Sequence, residues 1–130
     1  LFQLCYLGLY LRRVTRCTPA ACAACLLLYV VMLTIASQWS APLNGSLAYS
    51  PAAVALLLLG IVHWRMRARA DVLGAALLFL LSLAARSVDL MLCPHWPPGT
   101  HFIWHLLNAA MLSLLLAAYR RACNRQTLNR

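Results

Sequence analysis

Ala20-Ala-Cys-Ala-Ala-Cys-Leu-Leu-Leu-Tyr-Val-Val-Met-Leu-Thr-Ile-Ala-Ser-Gln-Trp39 runs for twenty residues without a charged side chain. At about 1.5 Å of rise per residue this is roughly 30 Å of helix, the thickness of a bilayer core. Similar blocks recur at residues 49–64, 72–92 and 100–119. Another block, residues 1–11, stops at Arg12-Arg13 and reaches only about 16 Å as a helix. The expected fold is therefore all-α: a polytopic transmembrane helix bundle of five segments with a short first one, in a single domain over residues 1–130.

Composition supports this. Apolar residues make up 64% of the chain and charged ones 10%, whereas a soluble domain carries about a quarter charged residues. The only acids are Asp71 and Asp89, and every basic residue apart from the histidines is an arginine. The net charge of +9 could suit nucleic acid, but the arginines form no single patch. They gather at 12–16, 65–69 and 120–130, with Arg86 alone between. Those clusters occupy every second connection, whereas the connections at 40–50 and 93–100 carry no arginine. The positive-inside rule then places the clusters and the C-terminus in the cytoplasm, on an integral membrane protein in contact with anionic lipid. Trp39, Trp64 and Trp96 lie at segment ends, where interfacial anchors belong.

The connections agree with this division. Asn44-Gly45-Ser46 signals a turn, Pro51 suits the first turn of a helix, and Pro94, Pro97, Pro98 and Gly99 break the chain before the last segment. The chain begins at Leu1-Phe2-Gln3 with neither a Met nor the basic start of a signal peptide. Further helices upstream of the short first segment are the simplest expectation. Cys22 and Cys25 share a Cys-x-x-Cys spacing, but in an apolar run without a polar partner they read as small buried residues. The other cysteines form no disulfide framework.

Chemistry concentrates in Gly99-Thr-His-Phe-Ile-Trp-His-Leu-Leu-Asn108. His101 and His105 at i, i+4 share one helix face, about 6 Å apart along the axis, where both imidazoles can reach one zinc ion. Polar groups inside a membrane are costly, so a spaced pair there calls for a function. The competing reading is two histidines bonded to neighbouring helices or to interfacial water. A catalytic zinc takes three protein ligands. His95 could fold back as the third but reads as a solvated loop residue, and His63 lies at the opposite face. Arg86 and Asp89 can pair within their helix, or Asp89 can stand behind an imidazole or fix the 93–100 connection. Asn108 can hold a ligand or bridge helices. A b-type haem would need axial histidines at matched depth on different helices, and it ranks last.

Arg86-Ser-Val-Asp-Leu-Met-Leu-Cys93, the proline-containing connection and the His-x-x-Trp-His helix together resemble the last two helices of the alkaline ceramidase family, bacterial ceramidase-domain membrane proteins among them. The likeness covers about residues 82–120. The resemblance implies a seven-helix, zinc-dependent membrane hydrolase that cleaves the N-acyl amide of ceramide-type lipids, in a bacterial inner membrane. It implies that His101 and His105 are two of three zinc ligands, and leaves the roles of Asp89 and Asn108 as read above. The third histidine, on a Ser-x-x-x-His helix, and a catalytic Asp on the next helix have no counterpart in these residues. The chain then corresponds to the C-terminal five helices, incomplete and inactive by itself. A non-catalytic receptor-like or lipid-binding membrane protein is the alternative.

Overall fold

The computed structural model describes residues 2–39, 42–62, 69–94, 96 and 99–128. Five helices follow one another: α1 (Phe2–Arg13), α2 (Pro19–Ser37), α3 (Ser50–Val62), α4 (Arg69–Leu92) and α5 (His101–Leu128). A 3-10 segment, Pro42–Tyr49, leads into α3. Among the described residues there is no strand, and four stretches are long and apolar enough to cross a membrane: Pro19–Ser37, Leu43–Val62, Arg69–Leu92 and His101–Asn124. The all-α transmembrane architecture read from the sequence is therefore present. Two boundaries differ from expectation. The third segment begins with the 3-10 turns, and α5 runs nine residues beyond Tyr119, to Leu128.

Local chemistry explains the ends. The Thr18 side chain caps α2 by accepting from the Ala21 amide at 3.3 Å, with Pro19 in the first turn, where its missing N–H costs nothing. After α2 the chain reverses through left-handed Leu43 (φ 55°), Asn44 (φ 53°) and Gly45 (φ 78°). Side-chain bonds compensate this strained backbone. The Asn44 amide donates to the Arg86 carbonyl at 3.0 Å and Ser46 to the Leu83 carbonyl at 3.3 Å. The turn is thus written onto α4.

α4 and α5 form the central antiparallel pair, lined by small residues that allow close approach. Ala75, Ala76 and Phe79 of α4 meet Met111 and Leu115 of α5, with Ala52, Ala53 and Leu56 of α3 completing that core. A second cluster joins Tyr10 and Val14 to Leu59, Val72, Ala118 and Ala122. α3 lies close to α4 because Gly60 has no side chain: a Cβ there would collide with Leu73. α1 is fastened to α5 by Tyr6, whose hydroxyl donates to the Leu115 carbonyl at 3.0 Å. At the other end of the α4–α5 pair, Arg121 binds Asp71 at 2.6 Å. Large apolar side chains including Leu27, Leu58, Ile61, Leu77, Leu90 and Leu106 point outward, as lipid-facing surfaces do.

Candidate metal centre

His101 opens α5 and His105 stands one turn on. Their Nε2 atoms are 3.2 Å apart, with ring centroids at 4.8 Å and planes at 83°. Both side chains are exposed. Two ligands at about 2.0–2.1 Å from a tetrahedral zinc lie roughly 3.3 Å from each other. The pair therefore fits two corners of a zinc site, and the same separation also suits a single N–H···N bond between the rings. No group of three His, Cys, Asp or Glu suited to a metal occurs among the described residues. His63 and His95 lie outside the described residues.

Asp89 is buried at 9% exposure. The intrahelical pairing with Arg86 considered from the sequence is not formed. The Asp89 carboxylate instead accepts the backbone N–H of Thr100 at 2.5 Å and faces the Thr100 hydroxyl at 3.1 Å. That hydroxyl makes its shorter bond, 2.6 Å, to the Ala85 carbonyl. The physical reason is position: a carboxylate on α4 meets the unsatisfied amides and positive dipole end of α5, a stronger call on it than a helix neighbour. Gly99 makes this possible. It is left-handed (φ +61°), and a Cβ there would stand 2.7 Å from Asp89 Oδ1. Asp89 therefore fixes the 93–100 connection, one of the three roles considered for it, and its carboxylate also accepts from the His101 backbone N–H, which places it beside the first imidazole.

Asn108 bridges helices. Ser82, fully buried on α4, gives its single hydroxyl hydrogen to the Phe79 carbonyl at 2.8 Å, with Asn108 Oδ1 as a weaker second acceptor at 3.3 Å. Asn108, Trp104 and His105 also line one wall of a mainly apolar cavity of about 500 Å³, with Gln3 and Tyr6 of α1 on another wall. Tyr29 lines it too and donates to Gln3 Oε1 at 2.9 Å.

Other expectations divide. Cys22 is buried but Cys25 is exposed, because α2 turns most of its surface outward and buries only Cys22 and Tyr29. Trp39 and Trp96 are exposed at helix ends, while Trp64 lies outside the described residues. The arrangement that sequence spacing missed is around Arg86. Its guanidinium lies 4.9 Å from the Trp104 ring centroid and 5.7 Å from that of Tyr49. The Trp104 ring in turn sits 5.2 Å from His101 and 4.5 Å from His105.

Comparison with protein-family models, with curated proteins and with solved structures finds no match to this chain.

Proposed function

We propose that this chain carries the two-histidine part of a zinc site in a membrane-embedded amidohydrolase of alkaline ceramidase type, acting on the N-acyl amide of ceramide-like lipids. The observation that carries the proposal is the 3.2 Å separation of the His101 and His105 Nε2 atoms, with His105 at the wall of a largely apolar cavity. His101 and His105 would hold the metal. Zinc, when bound, supplies a Lewis acid that polarises an acyl carbonyl.

The chain's own residues do the rest. Asp89 sets where α5 begins, Trp104 and Asn108 shape the wall beside His105, and the cavity takes an alkyl chain out of the lipid. By the resemblance, the remaining zinc ligand would sit on a Ser-x-x-x-His helix and the proton-carrying carboxylate on the next helix, and the sequence contains no Ser-x-x-x-His. On this reading the 130 residues alone bind zinc weakly and hydrolyse nothing. The arginine clusters face the cytoplasm with the C-terminus, in a bacterial inner membrane. Partners are membrane lipids and the lipid substrate, and not nucleic acid.

Cobalt(II) titration of the full chain in detergent micelles tests this. Weak binding that saturates at one site only with excess cobalt is expected, and it should be lost in both His101→Ala and His105→Ala. Binding that survives both substitutions, or no binding to the unsubstituted chain, would overturn the reading. In membranes of cells carrying the native gene, fatty-acid release from N-acylsphingosine is expected to fall to background on His101→Ala. A non-catalytic lipid-binding role is favoured by one observation, the absence of a third metal ligand among the described residues. It requires that lipid binding persist in His101→Ala and that no metal bind.

A further inference from the structure

We infer that Arg86 is a positioning residue for the imidazole pair, acting through Trp104, an inference that rests on the zinc reading above. Trp104 lies three residues after His101 and one before His105, and its ring touches both imidazoles, tilted 34° to the first and 64° to the second. An indole held on one side only could turn about its side-chain bonds and release both rings. Arg86 closes the other side from a different helix, its guanidinium carbon 4.9 Å from the Trp104 centroid. Among aromatic side chains, indole binds a cation face best, and a planar guanidinium suits that face.

Three observations mark this as a face contact with a defined place. Arg86 has no carboxylate partner, because Asp89, three residues on, is taken by Thr100. Arg86 Nε and Trp104 Nε1 are both buried without a hydrogen-bond partner, so neither atom anchors its side chain, and the contact between the two is that of the guanidinium over the indole ring. Tyr49 lies against the same guanidinium at 5.7 Å, while the Arg86 carbonyl accepts from Asn44. The turn before α3, the C-terminal third of α4 and the start of α5 thus converge on one residue. Outer groups that orient metal-binding imidazoles commonly contribute 10–100-fold to affinity. Arg86 would fill that role through a ring instead of a hydrogen bond.

The test combines cobalt(II) titration with contacts between the Trp104 and histidine rings seen by NMR, on the full chain in micelles. Arg86→Leu is expected to weaken cobalt binding about tenfold, to broaden the visible cobalt bands and to erase the Trp104–imidazole contacts. Arg86→Lys should recover part of the loss, since it keeps the charge but not the plane. In a Trp104→Leu background the Arg86→Leu change should cost nothing further.

The inference is overturned if Arg86→Leu leaves both the cobalt spectrum and the ring contacts unchanged, or if its effect is equally large without Trp104. The ring contacts need no metal. If the unsubstituted chain binds no cobalt, the zinc reading fails, and loss of those contacts in Arg86→Leu still supports the positioning role while their persistence overturns it. Unchanged helicity by circular dichroism identifies variants that fold, and Arg86→Lys supplies the comparison if Arg86→Leu does not.

Discussion

The Asp89 carboxylate accepts the backbone N–H of Thr100 at 2.5 Å, so one helix ends by capping the next. The bond spans eleven residues of chain and closes over left-handed Gly99. It decides the residue at which α5 starts, and with it the direction in which His101 leaves the helix.

Removing that acceptor should loosen the hairpin. Asp89→Ala leaves a buried amide without a partner, and the thermal midpoint in micelles is expected to fall by several degrees. Asp89→Asn keeps an acceptor oxygen but loses the charge facing the positive end of α5, so a smaller fall is expected. Equal midpoints for Asp89→Ala and the unsubstituted chain would show that the bond does not hold the connection.

The close approach of α3 and α4 depends on Gly60. Gly60→Ala puts a methyl group into the Leu73 side chain, and overpacking of this kind costs about 1–3 kcal/mol. The double variant with Leu73→Ala should regain much of that loss, as measured by equilibrium unfolding. If it falls below both single variants, steric conflict at this contact is the wrong explanation.

The Ser82–Asn108 bond is long, and Ser82 already bonds the Phe79 carbonyl. Its coupling should match the modest average for such bonds between membrane helices, about 0.6 kcal/mol. A double-mutant cycle with Ser82→Ala and Asn108→Ala reads it directly. A coupling near zero would assign Asn108 to the cavity wall alone.

Arg121 reaches Asp71 at 2.6 Å, but the arginine side chain is 64% exposed. Screened pairs of this kind contribute at most about 1 kcal/mol. Arg121→Gln should therefore change stability little at low salt and not at all at 1 M salt, where the screening length is about 3 Å. A large loss that persists at high salt would show that the pair is effectively buried.

Much of the helical frame was legible because lipid imposes it: a span must be apolar and roughly 20 residues long. The turn at Asn44-Gly45-Ser46, the break before α5 and the shared face of His101 and His105 followed from residue types alone. The relations between helices were less visible. Arg86 and Asp89 suggested each other because they are three apart, yet each finds its partner on another element. The antiparallel pairing of α4 with α5 held the missing signal. Residues equidistant from position 95 face one another, which brings Ser82 to Asn108 and Arg86 to Trp104, and brings Asp89 close to Thr100. Leu43 in the left-handed region carried no such signal, since only the bonds from Asn44 and Ser46 to α4 stabilise it.

That turn has a consequence for α2. The helix buries only Cys22 and Tyr29, so its flank contributes little to where it stands. It is held at mid-length by the Tyr29 bond to Gln3 of α1, and beyond its C-terminal end by the bonds of Asn44 and Ser46 to the backbone of α4. Its lipid-facing residues are accordingly interchangeable with other apolar ones, while a few polar side chains, Tyr29, Asn44 and Ser46, determine where it hangs.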